Sequence, residues 1–372
     1  MQSQTIFTFA KLTPILFVTF GCSEYGLNPK YGLNNGADNQ TQTEVSAEQE
    51  ESIDELEQEF TGEITGRVCD PSGGLWVIDA DVYIDVDYDG DGVVDYRSSD
   101  VTDIEGRYRL TDLPVGDHTI HVEKGSFTSS TTVYFPGGVY ELPEAFCQLD
   151  PPSIAVVSGD YDHIEGILNG VELDYTLYNG RSGASQYLTL LQDPAEMAKY
   201  DILFFNCGVS ESWLSNPNIA ENIRQFVFNG GSIYASDWAH LFVEVPFPDH
   251  IDFFGTDHHH TEARSGHQGY LNANVKNNAM IEILDSTTAQ INYDLGGWVV
   301  AENTASNVEV LLTGQVPAYN QQTNSNVTVP NAPLAMRFTY GEGRVVFTTF
   351  HNEHQATTFD MYALLEEMVF SL

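Results

Sequence analysis

The chain has 372 residues, and its 54 Asp and Glu against 14 Lys and Arg give a formal net charge of −40. A surface this negative repels nucleic acid and anionic lipid headgroups, which excludes both as direct partners. The length suffices for about two ordinary domains beside a polar N-terminal segment.

An apolar run, residues 12–20, follows the single cation Lys11 near the N-terminus. It is too short to span a bilayer and suits the apolar core of a signal peptide. Because the run ends in Gly21-Cys22, residues 1–22 resemble a bacterial lipoprotein signal, with Cys22 as the lipidated first residue. The resemblance implies a lipid-anchored protein of the cell envelope, at the outer membrane or cell surface, that meets the membrane only through its anchor. An ordinary secretory signal in which Cys22 is coincidental is the alternative.

Residues 23–60 are polar and then acidic, with no Lys or Arg between Lys30 and Arg67. Such a stretch cannot bury enough apolar area to offset its ordering entropy. We therefore expect a disordered acidic linker between the anchor and the folded domains.

Residues 61–150 consist of short alternating strands separated by turns, among them EITGRVCD, ADVYIDVD and DHTIHVEK. Turn signals at this spacing, without helical periodicity, are typical of a small antiparallel β-sandwich. The segment also resembles the carboxypeptidase regulatory-like family, which implies a transthyretin-like sandwich and a non-catalytic module. The matching positions are Gly66-Arg67-Val68, Ala80-Asp81-Val82, Thr102-Asp103, Gly106-Arg107-Tyr108 and Leu113-Pro114-Val115-Gly116.

The acidic sequence DVDYDGDGVVD, residues 85–95, lies between two of these strands. Calcium loops of the EF-hand type present oxygen ligands at alternate positions, with a glycine at the sharp turn. The segment resembles the DxDxDGxxD loops of extracellular repeats, so we predict a structural calcium ion, with a solvated acidic hairpin as the alternative. The ligands would be Asp87, Asp89, Asp91, the Val93 carbonyl and Asp95.

Cys69 ends the first predicted strand of this domain, and Cys147 follows the last one. First and last strands of a sandwich are often close, and an exported chain meets an oxidising compartment, so a Cys69–Cys147 disulfide is expected. Cys207 would then be unpaired. A Cys147–Cys207 pairing is the alternative.

After Pro151-Pro152, strands alternate with helices over residues 153–372, which indicates an α/β domain with a doubly wound parallel sheet. Apolar strands are expected within residues 153–162, 171–180, 199–210 and 232–236, and a helix over 217–229. A later hairpin turns at Gly341-Glu342-Gly343. The closing helix has an apolar side formed by Met361, Leu364, Leu365, Met368 and Leu372.

The strand over 232–236 ends beside Asp237, at the edge where open α/β sheets bind ligands. Residues 153–372 resemble the class I glutamine amidotransferase-like superfamily, a flavodoxin-like fold, with residues 242–332 as an insertion. KYDILFFNCG stands at its central strand, YASDWAHL at its nucleophile elbow and TFHNEH at its His-Pro-Glu motif. The resemblance implies His351 as the base and Glu353 as its orienting carboxylate, and it places Asp237 where the family has its nucleophilic cysteine.

The replacement of that cysteine by Asp237 argues against glutamine hydrolysis, because a carboxylate is a far weaker nucleophile toward an amide than a thiolate. Cys207 is not expected to substitute, since it lies on the turn of the preceding strand. Asp237, His351 and Glu353 could instead hold a divalent metal or perform acid–base work. An inert hydrogen-bonded cluster or a ligand cleft is the alternative.

A second group of histidines lies in the insertion. His258, His259 and His260, with Asp257 and His267, could bind a transition metal, and a polar surface loop is the alternative.

The rest of the insertion reads as strands, at GYLNANV, QINYDL, GWVVAE and VEVLLTG, which extend the sheet or form a subdomain over it. Trp238 and Trp298 are expected in the core. His240 and His354 are further candidates near the Asp237 site.

These features predict a surface-anchored, non-catalytic lipoprotein with a binding or scaffolding role toward an unidentified protein or polysaccharide. The alternative is a hydrolase, metal-assisted or not, that uses the Asp237, His351 and Glu353 pocket. Convergence of these side chains on an open cleft would favour the enzyme. Closure of the cleft by Trp238 or by the insertion would favour binding.

Overall fold

The computed structural model describes residues 62–88, 90–256, 260–352 and 357–372. The predicted signal with Cys22, the acidic linker, Asp89, residues 257–259, Glu353 and His354 lie outside the described residues, so the expectations for them stay predictions. Within the described ranges, no helix combines the length and the apolar character that crossing a bilayer requires.

Two β-sheets form the first part of the described chain. Their inward side chains, among them Ile64, Val82 and Ile120, are buried in one continuous core, as the alternation of apolar and polar residues dictates. The strands are β1 (Gly62–Arg67), β2 (Asp81–Val86), β3 (Tyr96–Val101), β4 (Arg107–Leu110), β5 (Gly116–Lys124), β6 (Phe127–Phe135) and β7 (Gly138–Glu141), ordered β4-β1-β7 in one sheet and β3-β2-β5-β6 in the other. The sequence pattern misses β3 and β7, whose residues are mostly exposed or half-buried.

A disulfide joins Cys69 to Cys147. The Cys69 N–H also donates to the Cys147 carbonyl at 2.8 Å, and the Leu149 N–H donates to the Cys69 carbonyl at 3.1 Å. The chain that leaves β1 is therefore tied to the chain that follows β7. Cys207 is a free, buried cysteine, so the alternative pairing with Cys147 does not occur in this structure.

Parallel strands form the centre of the α/β domain. They are β8 (Ile154–Ser158), β9 (Thr176–Asn179), β10 (Ile202–Phe205), β11 (Ser232–Ser236) and β20 (Gly343–Thr348). Their order across the sheet is β9-β8-β10-β11-β20, which, numbered along the chain, is the 2-1-3-4-5 order of flavodoxin-like folds. Strand order alone thus confirms the predicted flavodoxin-like α/β fold.

Helices cover both faces of this sheet. They are α1 (Glu165–Gly170), α2 (Gln186–Gln192), α3 (Pro194–Met197), α4 (Pro217–Phe228), α5 (Leu241–Glu244), α6 (Asn278–Leu284) and α7 (Phe359–Phe370). Because successive strand residues point to opposite faces, Val156 and Phe204 share a core with α1 and α7, whereas Val157 and Phe205 share the other core with α2 and α4. The sheet is doubly wound, as predicted.

The insertion extends the same sheet with antiparallel strands, which is the first of the two predicted arrangements. Its strands are β12 (Ile251–Phe253), β13 (Arg264–Gly266), β14 (Gly269–Val275), β15 (Thr288–Tyr293), β16 (Trp298–Val299), β17 (Ala301–Thr304), β18 (Glu309–Asn320) and the first part of β19 (Ser325–Tyr340). Beyond β20 the sheet continues in the order β19-β18-β14-β15, while β12 and β17 form a separate pair.

The turn between β5 and β6 packs against the C-terminus of the α/β domain. Gly125 has a φ of 61°, and a Cβ at this position would collide with the Leu372 carbonyl oxygen, so the turn requires glycine. Lys124, only 5% exposed, donates to the carboxylate of Glu367 at 2.8 Å. Burial raises the pKa of Glu367, and the Lys124 ammonium opposes that effect. Removing one partner of such a buried pair leaves an uncompensated charge.

Replacing Lys124 by Met is expected to destabilise the protein by about 3–5 kcal/mol, because Glu367 would remain buried and unpaired. The double variant Lys124→Met/Glu367→Leu should recover most of this loss, since both charges are gone. Chemical denaturation followed by circular dichroism measures the free energy of unfolding of each protein.

The exposed pair Lys199–Glu196 supplies a matched control. Lys199→Met should cost less than about 1 kcal/mol, because a solvated ion pair contributes little. A double variant as unstable as Lys124→Met alone would show that charge burial does not explain the sensitivity of this junction.

Candidate functional site

Asp237 directly follows β11 and has a left-handed backbone, with a φ of 43°. This conformation is strained for a residue with a side chain and persists only where its surroundings fix it. A single 3-10 turn, Asp237–Ala239, and the short helix α5 follow. The resulting strand–turn–helix bend has the form of a nucleophile elbow, with a carboxylate at its tip.

Three buried or half-buried side chains meet at this bend. The Cys207 Sγ lies 3.4 Å from the Asp237 Oδ2, and the His351 Nδ1 lies 3.6 Å from the same oxygen. The three potential ligand atoms all lie within 4.8 Å of one another. Cys207, which is not expected to replace the nucleophile, thus lies beside Asp237 in the same cluster. Because β10 and β11 are adjacent and parallel, the turn after β10 reaches the same edge of the sheet.

Backbone groups hold this cluster in place. The Val299 N–H, from β16 of the insertion, donates to the Asp237 Oδ1 at 2.6 Å. The Cys207 N–H donates to the Ser236 Oγ at 3.0 Å. Each of these donors belongs to the main chain, so the side-chain positions follow from the fold itself.

Burial governs the protonation of the cluster. It raises the pKa of Asp237 to about 6, although the nearby His351 and the Val299 N–H act in the opposite direction. Burial and the Asp237 carboxylate raise the pKa of the Cys207 thiol well above its usual value. At neutral pH, Cys207 is therefore a protonated thiol rather than the thiolate that nucleophilic catalysis requires.

A cavity of about 240 Å³ opens from this cluster. Cys207, Asp237 and His351 form its buried floor, and Leu295, which is 54% exposed, lies at its mouth. The polar side chains of Asn292 and Asp294 also line it. The walls are formed by Tyr161, Trp238, Tyr293, Trp298, Phe350 and Met361.

Aromatic rings from two parts of the chain build these walls. Trp298 stacks on Tyr293 with ring centroids 3.7 Å apart, and both belong to the insertion. Trp238 packs edge-on against Tyr161 at 5.5 Å, and its Nε1 donates to the Gly297 carbonyl at 2.8 Å. The two tryptophans, predicted as core residues, thus line a cavity. Their proximity depends on long-range pairing of the insertion, for which the local sequence carries no signal.

The other predicted members of the site lie elsewhere or outside the described residues. His240 is fully buried beside Glu211 and Glu244, with nitrogen–oxygen distances of 3.7 and 3.9 Å, and it does not line the cavity. Glu353 and His354 are not described. Asn352, which follows His351, donates through its side chain to the carbonyl of His163 at 2.6 Å.

In the predicted calcium loop, the described carboxylates accept hydrogen bonds from the loop backbone. Asp87 accepts from the N–H groups of Gly90 and Gly92 at 2.8 and 2.7 Å. Asp91 accepts from the Val93 N–H at 2.7 Å.

The carboxylates on either side of the loop have other partners. Asp95 accepts from the Tyr88 N–H at 2.9 Å. Asp85, just before the loop, forms a bidentate ion pair with Arg97. Calcium binding by Asp87, Asp89, Asp91, the Val93 carbonyl and Asp95 stays a prediction.

Solved structures similar to this chain include glutamine amidotransferase-like proteins. A GMP synthase subunit proposed for Thermoplasma acidophilum has a TM-score of 0.39 and 12% identity, covering 60% of this chain and 94% of its own. PurLQS of Thermotoga maritima has a TM-score of 0.36 and 12% identity, covering 59% and 98%. A glutamine amidotransferase of Thermotoga maritima has a TM-score of 0.34 and 9% identity, covering 54% and 75%. No family model and no curated protein matches the sequence.

Asp237→Asn should stabilise the protein at pH 8 but not at pH 4. A folded-state pKa of about 6, against 3.8 for the ordinary group, means that ionisation of Asp237 opposes folding above that range. The raised pKa lowers the free energy of unfolding by about 3 kcal/mol. This cost is complete above pH 6 and absent below pH 4. Asn cannot ionise, tolerates the left-handed backbone, and keeps an acceptor for Val299. Urea denaturation at both pH values, with a chelator present, measures the difference.

The control is Asp117→Asn, which changes an exposed carboxylate on β5. It should alter the free energy of unfolding equally at both pH values. An equal effect of Asp237→Asn at pH 4 and pH 8 would contradict the raised pKa of Asp237.

Proposed function

We propose that this chain is a cell-surface binding protein whose α/β domain holds a small ring-shaped ligand in the aromatic cavity beside Asp237. The observation that supports the proposal is that the insertion covers the bend at Asp237. Val299 binds the Asp237 carboxylate at 2.6 Å, and residues 292–298 wall the space above it. This is the arrangement that favours binding over an open catalytic cleft.

The size and lining of the cavity support one ring as the occupant. Its volume of about 240 Å³ falls below the ~300–1,000 Å³ of pockets for drug-sized ligands. Trp298 and Trp238 offer aromatic surface, and Asn292 and Asp294 offer polar groups beside it. We infer a single sugar unit of a polysaccharide as the ligand, with an aromatic side chain of a protein as the competing occupant.

The chemistry of the elbow argues against amide hydrolysis. Asp237 is a weak nucleophile, and burial keeps the Cys207 thiol protonated. The runner-up function, a hydrolase, is favoured by one observation, the convergence of Cys207, Asp237 and His351 within 4.8 Å. Such an enzyme would have to activate water rather than attack through its own side chain.

The N-terminal residues would attach the α/β domain to the membrane. We propose that Cys22 carries the lipid and that residues 23–60 tether a carboxypeptidase regulatory-like sandwich, stiffened by calcium, at the outer membrane or cell surface. The strands of residues 62–141 and the buried contact of Lys124 with Glu367 support a β-sheet module that packs against the α/β domain.

Leu295→Arg should weaken ligand binding by at least about tenfold, because a long charged side chain at the mouth obstructs the cavity. The wild type is titrated with a panel of monosaccharides and with phenol, and tryptophan fluorescence reports occupancy. The matched control is Leu177→Arg on β9, since Leu177 is also 54% exposed but lies away from the cavity.

Binding of a monosaccharide that is lost only in Leu295→Arg supports the proposal. Binding of phenol alone would favour the protein side chain as occupant. If no panel member changes the fluorescence, or if both variants bind as the wild type does, the cavity is not a site for a ring-shaped ligand.

Calcium should raise the thermal stability of the chain, because it binds only the folded loop. A hundredfold excess over Kd contributes about 2.7 kcal/mol. The double variant Asp89→Ala/Asp91→Ala should abolish the shift, whereas Asp117→Ala, an exposed carboxylate outside the loop, should leave it intact. Differential scanning calorimetry with calcium or with a chelator measures the change in melting temperature. Equal melting temperatures of the wild type under the two conditions would count against the calcium site.

A further inference from the structure

We propose that Cys207, Asp237 and His351 form a site for a transition-metal ion of the zinc class on the floor of the cavity. This site goes beyond the proposed function, because it depends on three ligand atoms and not on the identity of the ring-shaped occupant. No other described group of His, Cys, Asp and Glu side chains brings three ligand atoms this close together.

The distances fit a metal without rearrangement of the backbone. In tetrahedral zinc sites, bonds of about 2.3 Å to sulfur and about 2.0 Å to nitrogen or oxygen put neighbouring ligand atoms about 3.3–3.6 Å apart. The separations observed here are 3.4 Å from the Cys207 Sγ to the Asp237 Oδ2 and 3.6 Å from that oxygen to the His351 Nδ1. These two separations match neighbouring ligands of a tetrahedral ion, and the Cys207 Sγ and the His351 Nδ1 lie within 4.8 Å of each other.

The donor types select the class of metal. Sulfur, imidazole nitrogen and carboxylate oxygen together suit zinc and its neighbours, whereas calcium and magnesium prefer oxygen ligands alone. This separates the site from the acidic loop at residues 87–95, whose ligands would all be oxygens. The two sites should therefore load with different ions.

Neighbouring groups orient the ligands as they do in metal sites. The second oxygen of Asp237 is held by the Val299 N–H at 2.6 Å, which leaves Oδ2 directed to the cluster. The Cys207 N–H donates to the Ser236 Oγ at 3.0 Å, which fixes the main chain that carries the thiol. Such outer contacts fix ligand orientation before the metal arrives, and their loss typically costs ten- to a hundredfold in affinity.

Three protein ligands leave a fourth position for a ligand from outside. In zinc sites with three protein ligands, that position faces substrate or solvent. Here the three residues line the cavity, so the fourth position faces its interior. The occupant would then be a ring with a hydroxyl or carboxylate donor rather than a purely apolar one.

The test is titration of the purified full chain, without a polyhistidine tag, with Co²⁺ as a spectroscopic substitute for zinc. We expect one equivalent to produce the near-ultraviolet charge-transfer band of a cobalt–thiolate bond and the visible bands of a tetrahedral ion. Cys207→Ser should remove the thiolate band, and Asp237→Asn or His351→Gln should weaken binding by at least about tenfold. Circular dichroism checks that each variant is folded.

Asp117→Asn is the matched control for Asp237→Asn, because it makes the same substitution in an exposed carboxylate on β5, outside the three-residue cluster and the cavity. It should bind Co²⁺ as the wild type does. A wild type without a thiolate band, or a band that persists in Cys207→Ser, would overturn the assignment. Cobalt bands without thiolate character would place the ion elsewhere, for example at the histidines 258–260, and would equally exclude this site. The fluorescence titration with monosaccharides tests the proposed function independently of this metal site.

Discussion

A fully buried carboxylate, Asp162, holds together the loops that build the site. Its Oδ2 accepts a hydrogen bond from the Ser236 hydroxyl at the end of β11, and its Oδ1 accepts from the Asn352 N–H after β20 at 3.2 Å. Its backbone carbonyl accepts from the Asn206 side chain after β10. Burial raises the pKa of Asp162. A buried carboxylate is tolerated only where it is hydrogen-bonded, so these loops must keep their mutual positions.

That network explains how a strained residue persists at the elbow. The left-handed backbone of Asp237 costs about 1–3 kcal/mol of folding free energy. It persists only because contacts with neighbouring residues hold it in place. Ser236, the residue before it, is fixed through Asp162, and the Asp237 side chain is fixed through Val299. The same loop contacts therefore hold the strained backbone of Asp237 and keep its side chain beside Cys207.

The features of the fold that follow from local pattern are predictable from the sequence. Apolar runs such as Ile202–Phe205 and the periodicity of the closing helix identify the buried strands and α7, and their alternation indicates a doubly wound sheet. The flavodoxin-like fold is expected only from the resemblance to the amidotransferase-like superfamily. Short strands without alternation, such as Gly138–Glu141, carry no such signal because most of their residues are exposed. A strand end at Asp237 is predictable because a buried strand and a turn follow one another there, whereas the nucleophile elbow is expected only from the resemblance.

The composition of the site is less predictable, because it depends on pairing between distant segments. Cys207 and Asp237 are thirty residues apart and meet only because β10 and β11 are neighbours. Trp298 and Tyr293 reach the cavity through strands of the insertion, whose register no local pattern specifies. The aromatic walls could therefore be recognised only once the sheet was assembled.

The insertion and the Asp237 carboxylate each depend on the hydrogen bond that joins them. The Val299 N–H is buried and points at the Asp237 Oδ1 at 2.6 Å. A cysteine at position 237 would offer this donor only a weak sulfur acceptor, and a poorly satisfied buried N–H costs about 1–3 kcal/mol. Conversely, without β16 the Asp237 carboxylate would lose the main-chain donor that favours its ionised form. The walls that the insertion builds and the acidic elbow are therefore linked through this hydrogen bond, and a thiol-dependent site would require both to change together.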